Sequence, residues 1–144
     1  MKIIAIANDH AGTEYKFEII KYLEEQGYKV INFGTDTNDS MDYPDTIHQA
    51  AQAVNDKITD LGIILCGSGN GAQITANKHQ QVRAALCWNK ELVELARRHN
   101  DANILSIPAR FVSLYQALSF VKIFLETKFE VGRHAKRIAK IPCK

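Results

Sequence analysis

Apolar residues in this chain come as short continuous runs and as longer stretches with helical spacing, and the two alternate from one end to the other. Ile3, Ile4 and Ile6 mark a first buried strand within Lys2 to Asn8, and Asp9-His10-Ala11-Gly12 follows as a loop. Thr13 is placed to cap a helix with Phe17, Ile20 and Leu23, together with Ile19, on its apolar face and Gly27 at its close. Lys29 to Phe33 reads as a second strand. Gly34 to Tyr43 reads as a polar loop ending at Pro44, which suits the first turn of a helix faced by Ile47, Ala50, Ala51 and Val54. Leu61 to Leu65 is apolar without alternation, as expected of a strand buried on both faces of a parallel sheet. Val82 to Leu86 and Asn103 to Ile107 read as further strands. Helices are expected from Ala72, over Lys90 to Arg98, over Val112 to Leu125, and from Gly132 to about Lys140.

Strands alternating with helices through short loops predict an α/β fold: a three-layer, Rossmann-like, doubly wound parallel sheet of five strands in one domain spanning 1–144. The expected strand order is 2-1-3-4-5, with the ligand crevice beyond the C-terminal strand ends where the order reverses. The last helix has no strand to cover and is expected to pack on a partner subunit.

Composition narrows the class. The chain has 144 residues and is large enough for a core without disulfides or metal. No apolar run approaches the ~20 residues that span a bilayer, and MKIIAIANDH reads as a strand and not as a cleavable signal, so a cytoplasmic protein with no membrane partner is the expectation. Cys66, Cys87 and Cys143 are odd in number and lack CxxC spacing, which argues against a disulfide framework or a structural zinc site. Net charge is only +2, but residues 128–144 carry +5, leaving −3 elsewhere. A basic tail of that kind does not by itself choose among nucleic acid, a small phosphate ligand and an acidic surface.

Candidate chemistry centres on Cys66-Gly67-Ser68-Gly69-Asn70-Gly71. Cys66 ends the central strand, the glycines allow close backbone approach, and a helix follows. Amides at a helix start favour an anion, and favour a thiol at its edge as thiolate. Asp9-His10 and His99-Asn100-Asp101 also lie just past a strand or a helix, and all three groups are expected near the strand-end crevice. Arg133 and Arg137 stand at i and i+4, able to clamp a phosphate from one helix face, with His134 beside them. His48 and His79 read as surface residues without partners.

Five motifs in order, NDHAG at 8–12, DYPD at 42–45, CGSGNG at 66–71 with ANK at 76–78, RHND at 98–101 and GRHAKR at 132–137, resemble the type B ribose-5-phosphate isomerases. That family includes allose-6-phosphate and galactose-6-phosphate isomerase relatives. The resemblance implies interconversion of ribose 5-phosphate and ribulose 5-phosphate through an enediolate, in the pentose phosphate pathway, without metal or redox cofactor. It implies Cys66 as the carbon base and Gly67, Gly69, Asn70 and Gly71 with Ser68 around the enediolate oxygen. His99 with Asp9 would open the furanose ring. His10, Arg133, Arg137 and Arg110 would hold phosphate, and Tyr43 and Asn100 the sugar. It further implies a homodimer, or a dimer of dimers, with the site between subunits and no nucleic-acid partner. The sequence departs from the family's commoner patterns at Asn8, where Cys or Ser is frequent, and at Pro108-Ala109-Arg110, which replaces Gly-Ser-Arg. Ala72 stands where some members carry a Glu base.

Two other classes share parts of this pattern. A non-catalytic sugar-phosphate or nucleotide-binding module has the same glycine loop but no use for a reactive thiol beside it. A Cys-dependent phosphatase needs an Arg closely following the Cys, and residues 66–71 contain none.

Overall fold

The structure is a computed structural model that describes residues 2–143. Five parallel strands, β1 (Ile3–Asn8), β2 (Lys29–Asn32), β3 (Leu61–Cys66), β4 (Ala84–Leu86) and β5 (Ile104–Pro108), form one sheet in the order β2-β1-β3-β5-β4. Side chains alternate between its faces. Ile4, Ile6, Ile63, Leu65, Leu105 and Ile107 pack with Ile19 and Leu23 of α1 (Thr13–Glu25), Val93 and Ala96 of α4 (Lys90–Asn100), and Phe120, Val121 and Phe124 of α5 (Leu114–Glu126). Ala5, Ala7, Ile64 and Cys66 face α2 (Pro44–Asn55) and α3 (Asn70–Ala76) through Ile47, Ala50, Val54, Ala72 and Ala76. No described helix is long and apolar enough to cross a membrane.

The order differs from the expected 2-1-3-4-5, since β5 lies between β3 and β4. The reason is visible in the two strands. β5, ILSIP with Ser106 its one polar residue, is buried at every position, whereas β4 has three residues and only Ala84 is buried. Central slots in a parallel sheet are covered on both faces, and short strands serve as edges. The exchange matters at the strand ends, because Cys66 pairs with Pro108 and the segment after β5 therefore runs beside the glycine loop.

Local chemistry corrects three other expectations. The buried line of α1 is Thr13, Lys16, Ile19 and Leu23, while Phe17 is 46% exposed. Thr13 does not cap α1. Asp9 caps a 3-10 turn at His10–Gly12, and Thr13 opens the helix with its hydroxyl accepting from Asn8 Nδ2 at 3.1 Å. His48 and His79 are partnered, with Nδ1 and Nε2 2.8 Å apart. Burial, with His48 second, pushes the His79 imidazole below its ordinary value, against an opposing pull from Asp56.

The final helix, α6 (Gly132–Ile138), packs within the chain against the end of α4. Val131 makes the turn into it at φ +50°, a costly conformation for a β-branched residue.

Candidate active site

β1 and β3 are neighbours, and their C-terminal ends deliver Asp9 and Cys66 side by side: the Asp9 amide donates to the Leu65 carbonyl at 3.2 Å. Asp9 is buried, and its Oδ1 accepts from the Ala11 amide at 2.9 Å. Cys66 is 5% exposed and turned toward the α2 and α3 face of the sheet. Cys87 lies on the opposite face, and burial pushes its thiol up to about 12. Cys143 is exposed and meets Gln80 through its backbone amide, at the far end of the sheet.

The loop after Cys66 needs glycine at two positions for different reasons. Gly69 has φ +76°, and a side chain there would also start 2.5 Å from Leu86 Cδ1. Gly71, in the first turn of α3, lies under the Tyr43 ring, and a Cβ would stand 2.4 Å from Tyr43 Cζ. Ser68 Oγ accepts from the Asn70 amide at 3.3 Å and from Asn70 Nδ2 at 3.1 Å, and Ser106 Oγ donates to the Gly69 carbonyl at 2.9 Å. The loop's free side is a set of backbone amides at a helix start, which have no intrahelical acceptors.

Arg110 joins this group because of the observed strand order. Its amide donates to the Gly67 carbonyl at 3.0 Å, and its Nη1 is 3.2 Å from where a Gly67 side chain would begin. On the other flank, His10 Nδ1 accepts the Met41 amide at 3.2 Å. Asp9, His10, Tyr43, Cys66, Gly67, Ser68, Gly69, Asn70, Gly71 and Arg110 thus gather around one strand-end crevice.

His99, Asn100, Arg133 and Arg137 do not join them, contrary to the expectation for His99. α4 runs back antiparallel to the strands, so its end lies at their N-terminal side. Arg83, which precedes β4, donates from Nε to the Asn100 carbonyl at 3.1 Å. Four residues of β5 separate that level from Pro108, which is roughly 13 Å of strand.

There a second cluster is built around two histidines. His99 and His134 stack at 4.3 Å between centroids with planes 14° apart. The sequence marks His134 only as a neighbour of Arg133, yet with Arg133 and Arg137 on the exposed side of α6 its ring must turn inward. Burial lowers the His134 pKa, helped by His99, Arg133 and Arg137 and opposed by Glu130. Glu130 Oε2 accepts from Arg98 Nε at 3.1 Å and lies 3.6 Å from His99 Nε2. Arg133 and Arg137 are exposed and one turn apart.

One end of the sheet therefore offers a thiol, a carboxylate and an amide-lined loop; the other offers a positioned imidazole and paired guanidinium groups. Among the described residues, no group of three or more His, Cys, Asp or Glu is placed to hold a metal ion.

Comparison with known proteins gives consistent results. The family model described as Ribose/Galactose Isomerase matches residues 4–141. The ribose-5-phosphate isomerase B of Escherichia coli (strain K12) is 40% identical over 141 residues, covering 98% of this chain and 95% of that protein. The solved ribose-5-phosphate isomerase B of Clostridium thermocellum superposes with a TM-score of 0.95 at 46% identity, over 96% of this chain and 94% of its own. That of Mycoplasma genitalium, solved with bound ribulose 5-phosphate, gives 0.94 at 39% identity, over 96% and 93%.

Proposed function

The chain belongs to the Ribose/Galactose Isomerase family, and we propose that it interconverts ribose 5-phosphate and ribulose 5-phosphate. The observation that carries this reading is the convergence of Cys66 and Asp9 on an amide-lined loop at the β1 and β3 ends. Aldose–ketose isomerisation requires a base at carbon, donors for the developing oxyanion, and an acid/base group for ring opening. In this reading the Cys66 thiolate removes the C2 proton of the open-chain aldose. Backbone amides of residues 67–71 and Ser68 stabilise the enediolate oxygen, the hydroxyl proton of O2 passes to O1, and the carbon proton returns to C1. Every atom is conserved, so no redox cofactor enters the balance.

The phosphate and ring-opening groups, Arg133, Arg137 and His99, lie at the opposite pole of the chain. The reading therefore includes a homodimer in which the basic end of one subunit faces the Cys66 crevice of another. His10 and Arg110 meet the phosphate from the Cys66 side, and Tyr43 and Asn100 flank the sugar. The soluble, cytoplasmic setting and the place in pentose phosphate metabolism belong to the same proposal.

Turnover of ribose 5-phosphate, allose 6-phosphate and galactose 6-phosphate by the purified protein tests the reading. Highest kcat/KM on ribose 5-phosphate is expected. A clear preference for either hexose phosphate would move the chain to another branch of the family, and no turnover of any would return it to a binding module.

Arg133→Ala and Arg137→Ala are each expected to raise KM for ribose 5-phosphate about tenfold or more, since a hydrogen bond to a charged group is worth roughly 1.5–3 kcal/mol. Unchanged KM in both variants would leave the exposed face of α6 as a solvated basic surface.

A further inference from the structure

We infer that Lys16 is a positioning residue for this site: from the buried face of α1 it clamps the 34–43 loop that carries Tyr43 and orients His10. The inference rests on the isomerase reading above. Lys16 is fully buried. A buried amino group is costly unless it is partnered, and lysine is rarely found in that state without a specific counterpart. Its Nζ donates to the Thr35 carbonyl and to the Asp36 carboxylate, and it lies 4.6 Å from the centroid of the Phe17 ring. Asn32 Nδ2 donates to the same Asp36 oxygen at 2.9 Å, so the carboxylate is held from the β2 side as well. These two bonds, that from Lys16 first, hold the Asp36 carboxyl below its ordinary range.

The segment that carries Lys16 reaches the loop twice more. Thr13 Oγ1 donates to the Thr37 carbonyl at 2.7 Å, and the Met41 amide donates to His10 Nδ1. Residues 36–40 are exposed and contain no large apolar side chain, so nothing in a core fixes the loop and its polar tethers must. What the tethers hold is part of the site. Tyr43 ends the loop lying on Gly71, and Pro44 opens α2 immediately after it. Because Nδ1 of His10 receives a backbone N–H, the ring carries its proton on Nε2, the donor a phosphate oxygen would accept. Freeing the loop would free the tautomer and the tyrosine together, while leaving the Cys66 end of β3 untouched.

Lys16 therefore acts on substrate holding more than on proton transfer. Lys16→Met keeps the side-chain length and removes both donated bonds; it is expected to raise KM for ribose 5-phosphate roughly tenfold with kcat changed less than about threefold. Backbone amides of residues 35–41 should exchange with solvent faster in the same variant. Asp36→Ala, at a side chain 61% exposed, removes the carboxylate while leaving Lys16 its bond to the Thr35 carbonyl, and should show the same pattern at smaller amplitude. Lys21→Met, exposed on the same helix, should change neither quantity. In a Tyr43→Ala background the Lys16 effect on KM should shrink, because both substitutions remove the same contact.

Unchanged KM in Lys16→Met and Asp36→Ala, or a fall in kcat with KM unchanged, would overturn the inference. Should Lys16→Met fail to fold, Asp36→Ala decides it alone. If the wild-type protein turns over none of the three sugar phosphates, the isomerase reading falls. The exchange measurement then still decides the clamp, which is refuted if the 35–41 amides are as protected in both variants as in the wild type.

Discussion

Replacing Cys66 by alanine is expected to lower kcat at least about 10²-fold while leaving ribose 5-phosphate binding nearly intact, since general-base catalysis at carbon contributes typically 10²–10⁴ and nothing nearby substitutes for the thiol. Ala72, the position beyond the glycine loop, has no titratable group, and Asp9 has an Oδ1 committed to the Ala11 amide. Of the other cysteines, Cys87 is across the sheet with its thiol pushed up to about 12, and Cys143 is tied by its backbone to Gln80. Binding should survive because the amides of 67–71, Tyr43, His10 and the arginines are backbone or side-chain groups that do not depend on the sulfur. Cys66 is packed among Ala7, Ile64 and Ala72, so losing one sulfur leaves a small void and costs stability without loss of fold. Calorimetric titration with ribose 5-phosphate and a single-turnover assay separate the two effects. Retention of more than a few per cent of kcat would place the carbon base elsewhere.

The alternation of apolar runs with helical faces showed the α/β class, all five strands and the placement of Asp9 beside Cys66, because those follow from period and from parallel right-handed crossovers. Neighbour relations did not follow. Nothing in the periodicity of Val82 to Leu86 and Asn103 to Ile107 says which run sits beside β3; the usable signal was that ILSIP has only the small Ser106 as a polar residue whereas the charged Arg83 interrupts the other run. That choice carried Arg110 to the glycine loop despite the departure at Pro108-Ala109.

His99 was legible as a candidate group, and its expected place in space was wrong. A helix that follows a parallel strand returns to the strand's N-terminal side, so its last residues face away from the crevice where the strand's own C-terminal loop lies. Lys16 escaped for a different reason. A lysine in line with Ile19 and Leu23 breaks the apolar stripe, and the periodicity was then satisfied by Phe17, which the fold leaves half exposed. Burial of that lysine depends on Thr35 and Asp36, two residues in a loop whose path no local pattern encodes.

Mixing two inactive variants is expected to restore activity. In the proposed reading Cys66→Ala lacks the carbon base and His99→Asn lacks the ring-opening group, so each variant alone should be crippled on ribose 5-phosphate, the mainly closed-ring substrate. In a symmetric dimer whose site takes Cys66 from one subunit and His99 from the other, a hybrid has one site bearing both substitutions and one bearing neither. Random re-pairing of equal amounts yields half hybrids, so recovery should approach about a quarter of wild-type activity per total subunit. The geometry makes the result decisive. Within one chain the two residues lie at opposite ends of the strands, roughly 13 Å of β5 apart at the least, beyond the reach of two side chains acting on one five-carbon sugar. Subunit exchange is checked independently by native mass spectrometry of isotopically labelled protein, so a failure to re-pair is not mistaken for a failure to complement. Hybrids that form and remain inactive would mean that His99 and Cys66 do not share a site across subunits, and the basic end of the chain would lose its proposed part in the reaction.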